Sequence, residues 1–281
     1  MCALIYHQTV VADLSMELKI KVIPSEEKPQ DKRIKKIKYE LPKIPSNMFF
    51  LGRCGSGKTC ALYTLLNEGY IHKGKSIFDE IVVYLGTLDA SESFRKLPCK
   101  NIIVLHEFDA DDFQKYLDDL KAHQMERLDK KKRPLNVCIV FDDFIGNNLM
   151  KPGGKGKGSP LERLMLTSRH ECNSTVMFCS QGYKHSSFST PIIRNNINYY
   201  FLFTIAKNDL DKVAEEHMGN LTKEEFIELY EEIHKQPYQF MLIDYKKMCF
   251  RRGFSEIVHS FHEAEGKNKL EHKQDETKEK K

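Results

Sequence analysis

From residue 44 onward, short blocks of consecutive apolar residues alternate with longer stretches whose apolar positions recur every three or four residues. The short blocks are "NMFFLG" (47–52), "DEIVVYLG" (79–86), "NIIVLHE" (101–107), "NVCIVFDD" (136–143), "STVMFCSQ" (174–181) and "NYYFLFTI" (198–205). Most lack polar/apolar alternation, as strands buried on both faces require. Helical spacing fills 57–68, 109–128, 160–171 and 207–218 between them. Strands separated by helices predict βαβ units, hence an α/β fold with a mainly parallel central sheet between two helical layers. The stretch 222–254 reads as a helix followed by "PYQFMLIDY" and "MCFRRGF", a hairpin closing one edge of the sheet.

Polar patterning sets the borders. "LKIKVIP" (18–24) predicts a short strand, and "SEEKPQDKRIKKIKYE" (25–40) a solvated connector. After about residue 263 the chain is almost wholly polar, which predicts a disordered tail. The expected organisation is an extension and charged connector over 1–43, one domain over 44–262, and a charged tail over 263–281. Two basic loops interrupt the domain: "KKKR" (130–133) before a strand, and the glycine-rich "KPGGKGKGSP" (151–160).

With 281 residues, 41% of them hydrophobic, the chain can bury a sizeable core. The net charge of +4 excludes a strongly polycationic nucleic-acid binder and leaves room for local basic patches. The eight cysteines form no CxxC pair and no zinc-finger spacing, which points to a reducing, intracellular setting. The start, "MCALIYHQTVVADL", lacks the pattern of a signal peptide. No run approaches the roughly 20 apolar residues of a membrane span.

The candidate chemistry begins between the first apolar block and the first helix. Gly52, Arg53, Cys54, Gly55, Ser56, Gly57, Lys58 and Thr59 fit G-x-x-x-x-G-K-[ST] at every fixed position. Glycines let backbone N–H groups wrap a phosphate chain closely. Lys58 places a positive charge against the β- and γ-phosphates, and Thr59 offers a hydroxyl to Mg²⁺. Strand, loop and helix follow in the order that confirms this motif, so the expected fold is a three-layer P-loop NTPase of the RecA/ASCE-like kind. The expected ligands are ATP and Mg²⁺.

Two further strand ends carry candidates. "NVCIVFDDF" (136–144) runs four apolar residues into two acids. A carboxylate there holds the Mg²⁺ shell and the next acid can polarise the attacking water. Asp142 is assigned to the metal and Asp143 to the water. Gln181 ends the block at 174–181, at the strand edge where open α/β sheets bind ligands. It is placed to contact the γ-phosphate or its water.

"GRCGSGKT", "IVFDD", "SRHECNSTVMFCSQ" and "TPIIRNNINYYFLF" together resemble the genome-packaging ATPases of large DNA viruses of the poxvirus type, within the FtsK–HerA superfamily. The similarity covers about residues 44 to 245. It implies a homo-oligomeric ring that uses ATP to pump double-stranded DNA into a capsid, without sequence specificity. It also implies an arginine finger reaching the neighbour's γ-phosphate, with Arg169 the first candidate and Arg194 the second. Implied partners extend to a capsid portal or membrane-associated virion proteins, and the implied location is the host cytoplasm, a viral factory or the virion. The sequence departs from many translocases in having Asp-Asp where Asp-Glu is usual. Lys151, Lys155 and Lys157 of the glycine-rich loop are candidate contacts to DNA phosphates.

Other readings remain open at this stage. A cellular FtsK/HerA-like translocase or helicase would carry the same motor parts, and an ATP-binding scaffold would carry the same loop. A GTPase is disfavoured because "TIAKNDL" (204–210) misplaces the acid of N-K-x-D, and a small-molecule kinase because no arginine-rich lid is evident. His259 and His262 lie three apart with no third ligand nearby, so they read as surface residues.

Overall fold

The computed structural model describes residues 31–38, 40–87, 90–144, 159–183 and 190–261. Its centre is a nine-stranded sheet. In chain order the elements are β1 (Asn47–Leu51), α1 (Lys58–Thr64), a short hairpin of β2 (Ile71–His72) and β3 (Lys75–Ser76), β4 (Glu80–Leu85), α2 (Ser91–Arg95), β5 (Asn101–Leu105), α3 (Ala110–Asp129), β6 (Val137–Asp142), α4 (Pro160–Thr167), β7 (Ser174–Ser180), α5 (Pro191–Asn195), β8 (Tyr199–Leu202), α6 (Lys207–His217), α7 (Lys223–Ile233), β9 (Met241–Asp244), β10 (Cys249–Arg252) and β11 (Glu256–Ser260). A π-helical turn, Leu65–Gly69, extends α1.

The strand order is β11-β10-β9-β8-β1-β7-β6-β4-β5. β8, β1, β7, β6, β4 and β5 run parallel, and β9, β10 and β11 continue the sheet antiparallel. The expected closing hairpin is therefore present, with β11 added outside it. β7 stands between the glycine-loop strand β1 and the acid-bearing strand β6, the order of an ASCE-like P-loop fold.

Burial explains the apolar runs. Every residue of β1, β6, β7 and β8 is buried. On one face, Phe49, Leu51, Phe141 and Phe178 pack with Phe113 of α3, Leu161 of α4, Val213 of α6 and Phe226 of α7. On the other, Met48, Phe50, Val140 and Met177 pack with Leu62 of α1 and Phe94 of α2. Phe50 stacks on Phe201 at 4.2 Å between ring centroids. Where β-strands end, caps start the helices: Asp109 accepts from two amides of α3, Ser159 from Glu162, and Thr222 and Glu225 form a capping box on α7.

The charged connector differs from its expectation. Asp31 and Arg33 are tied to the domain, while Lys32, Lys35, Lys36 and Lys38 stay exposed. Asp31 is buried and bonds Arg33 and Asn136, while Asp79 receives Arg33 and Arg133. The guanidinium groups hold both carboxyls below the usual range against the opposing effect of burial. Arg133, from the basic turn before β6, thus ties the start of β4 to the segment that precedes β1. Near the other sheet edge, buried Arg251 pairs with Asp244 and donates to the carbonyls of Glu40 and Phe254. The expected strand at 18–24, the glycine-rich loop with Lys151, Lys155 and Lys157, His262 and the tail lie outside the described residues. No helix among the described residues is long and apolar enough to cross a membrane.

Candidate active site

Because β1, β6 and β7 are parallel and in register, their carboxyl ends at Leu51, Asp142 and Ser180 share one edge of the sheet. The loop after β1 is anchored on both sides. Gly52 N–H donates to Ser180 O (3.1 Å) and Arg53 N–H to Thr204 O (2.8 Å). A Cβ on Gly52 would fall 2.5 Å from Ser56 Oγ and 2.6 Å from Phe203 Cβ, so only glycine fits there. Gly55 and Gly57 have φ of +72° and +99°, which side chains other than glycine's resist.

This path turns polar groups inward. Lys58 is buried, and its Nζ donates to Gly52 O (2.8 Å) and Arg53 O (3.0 Å). Ser56 Oγ is buried with no hydrogen-bond partner among the described residues. A buried ammonium, an unpartnered buried hydroxyl and a glycine-only turn fit a phosphate chain.

The acid strand meets this loop directly. Thr59 Oγ1 donates to Asp142 Oδ1 at 3.1 Å. Asp142 is buried, and desolvation pushes its carboxyl above the usual range. The Asp143 charge adds to that rise, while hydrogen bonds from Cys179 and Thr59 and the charge of Lys58 act against it. A desolvated carboxylate beside a hydroxyl is an oxygen donor pair that suits a hard divalent cation such as Mg²⁺.

Asp143 is half-buried with a φ of +45°, a left-handed conformation that Asp tolerates better than most residues. Its carboxylate accepts from Gln181 Nε2 at 3.3 Å, so β6 and β7 present the two expected groups to each other. Gly86, just past β4, makes this possible. A Cβ there would lie 2.1 Å from Asp143 O, and its own N–H donates to Asp142 O (3.0 Å). Gly86 is a positioning residue, and in the sequence only its place at the end of the apolar block 79–86 marks it.

The two arginine candidates make other contacts. Arg169 follows α4 and precedes β7, at the opposite edge of the sheet, with Ser168 Oγ bonded to Asn47 Oδ1 (3.0 Å). β7 spans seven residues, so about 20 Å separates Arg169 from the site of its own chain. Arg169 and Lys43 lie close enough to Lys246 to add to the effect of burial in lowering its ammonium pKa. Arg194, on α5, pairs with Glu216 (2.9 Å) and its guanidinium lies 5.8 Å from the Tyr183 ring centre. The structure therefore gathers residues 52–59, Asp142, Asp143 and Gln181, sets Arg169 apart from them, and engages Arg194 with Glu216 and Tyr183. His259 bonds Asn220 on the surface, and no cluster of metal-binding type occurs among the described residues.

A glycine loop gripping Lys58, an acid pair at the end of β6 and an extra strand between them define a P-loop ATPase. More narrowly, the chain belongs to the poxvirus A32 protein family, whose sequence profile matches residues 34–253. Among solved structures, it is similar to the genome packaging NTPase B204 from Sulfolobus turreted icosahedral virus 2, in complex with ATP-gammaS. That likeness has 14% identity and a TM-score of 0.50, over 75% of this chain and 97% of the other. It is also similar to the cytoplasmic domain of the type VII secretion ATPase EccC of Thermomonospora curvata (13% identity, 78% and 24% covered, TM-score 0.46). No curated protein matches the sequence.

Proposed function

We propose that this ATPase binds ATP with Mg²⁺ and couples its hydrolysis to moving double-stranded DNA into a capsid, working as a homo-oligomeric ring. The observation that carries this reading is the convergence of Lys58, Thr59, Asp142, Asp143 and Gln181 at one sheet edge. Loop amides and Lys58 would hold the triphosphate, a role consistent with the nucleotide analogue bound by the B204 protein. Thr59 and Asp142 would hold Mg²⁺, which supplies charge neutralisation at the β- and γ-oxygens. Asp143, steadied by Gln181, orients a water and accepts its proton as the water oxygen bonds to the γ-phosphorus and the bond to the β-phosphate oxygen breaks. Arg169 serves the neighbouring subunit's site in this reading, since it lies at the far edge of its own sheet. Viral factories in the host cytoplasm are the proposed place of action, with a capsid portal or membrane-associated virion proteins as docking partners.

The direct test is ATPase activity with and without double-stranded DNA, alongside oligomer mass with and without ATP. DNA-stimulated turnover by a nucleotide-dependent ring supports the motor. A monomer whose turnover ignores DNA rejects it.

A further inference from the structure

Tyr238 lies in the loop between α7 and β9, and its side chain is largely in water at 79% exposure. Its position is specific. Tyr238 Cδ1 lies 3.8 Å from where a Cβ on Gly57 would stand, and Phe203 Cε1 is 3.9 Å from the same point. The ring therefore borders the residue that precedes Lys58 in the phosphate loop. Behind it, Phe203 and Phe240 pack at 5.2 Å and Phe240 and Phe254 at 5.0 Å. Tyr238 thus stands, exposed, beside a buried aromatic wall.

Its backbone is also unusual. Tyr238 has a φ of +61°, a conformation uncommon for bulky side chains and expensive to keep without a role. A triphosphate wrapped by residues 52–59 carries its nucleoside out of the loop and across the neighbouring surface. An exposed aromatic face there offers stacking to a purine or pyrimidine, because every base has a π-face.

We propose that Tyr238 is the nucleobase platform of the site, stacking on the base of the bound nucleoside triphosphate. This inference rests on the reading of residues 52–59 as a triphosphate cradle and adds the recognition of the base. Stacking is tolerant of base identity, so the platform raises affinity for any nucleoside triphosphate over a bare polyphosphate and discriminates weakly between ATP and GTP.

The experiment uses the full chain and three probes: ATP, GTP and inorganic tripolyphosphate, each with Mg²⁺, titrated calorimetrically. Tyr238→Asn removes the aromatic face while suiting a positive φ, and Tyr238→Phe keeps the face. Tyr238→Asn should weaken ATP and GTP alike by about tenfold, from the alanine-scan range for base–aromatic stacking. It should leave tripolyphosphate affinity and kcat unchanged and the thermal midpoint no lower, while KM for ATP rises. Tyr238→Phe should bind as the parent does. Equal ATP affinity in parent and Tyr238→Asn overturns the platform, as does an equal loss for ATP and tripolyphosphate, which would make Tyr238 a support of the loop. A parent protein that binds tripolyphosphate but gains nothing from the nucleoside overturns the platform alone. One that binds none of the probes overturns the cradle and the platform together.

Discussion

Thr59 Oγ1 donates to Asp142 Oδ1 across 3.1 Å and 83 positions of sequence. The pair joins the end of the glycine loop to the end of β6. It does so with a carboxylate that burial disfavours in its charged form. Asp142→Asn keeps an oxygen for Thr59 and removes the charge. Turnover should fall by about 100-fold or more, as expected when a cation ligand is lost. The nucleotide-free protein should melt a few degrees higher, since about 1 kcal/mol moves the midpoint of a domain this size by ~2–4 °C. Scanning fluorimetry checks the second point, and a clear drop in midpoint would mean the carboxylate is stabilised in the fold.

Asp143 and Gly86 make a second pair, in which one residue's backbone leaves no room for a side chain on the other. Asp143→Asn should bind ATP normally and lose about 10²–10⁴ in kcat, the range for a positioned general base. Gly86→Ala should reproduce part of that loss from outside the site, because its methyl group must displace the Asp143 carbonyl. Steady-state kinetics should show kcat lowered with KM nearly kept. Normal kcat in Gly86→Ala would show that the backbone pose of Asp143 is immaterial.

Arg169 is about 20 Å of strand away from the Lys58 loop of its own chain, so any catalytic role must be exercised on a neighbour. Arg169→Ala should remove turnover by about 10³-fold or more in uniform assemblies, as loss of such an arginine does. Lys58→Ala should bind no nucleotide yet still present Arg169. Mixing the two inactive proteins should therefore restore activity in rings that place an intact loop beside an intact arginine. Continued inactivity of mixed rings of normal size rejects the trans role.

The parts legible in the sequence are those governed by local rules. β1, β6 and β7 were bounded within a residue because strands buried on both faces need unbroken apolar runs. Residues 52–59 were legible because the loop's chemistry requires fixed spacing. Five-residue helices such as α2 and α5 hold too few turns to show a period, and the two-residue strands β2 and β3 show none. The role of Gly86 arises from contact with a residue on another strand, which no local pattern encodes. Asp31 reads as part of a solvated connector because a sequence does not print the partners, here Arg33, Arg133 and Asn136, that allow a charge to be buried.

His217 illustrates the same blindness and yields a pH dependence. It lies buried against Tyr200, with Nε2 2.6 Å from Tyr183 OH and Nδ1 2.6 Å from Tyr245 OH. Tyr183 OH also donates to Glu216, which pairs with Arg194. Burial lowers the imidazole pKa to about 4, with Arg194 acting in the same direction and Glu216 against it. The unfolded chain, with an ordinary value near 6.5, binds the proton more readily than the folded one between those two limits. Stability from this group is therefore complete above about pH 6.5 and is lost as pH falls toward 4. Between pH 7 and 5 the loss should be about 2 kcal/mol. His217→Gln carries no titrating proton, so its stability, measured by urea unfolding, should be flatter over that range by the same amount. Other ionisable groups contribute to both proteins and cancel in the comparison. Parallel profiles for parent and variant would show that His217 is protonated in the fold and that the tyrosine pair does not hold it neutral.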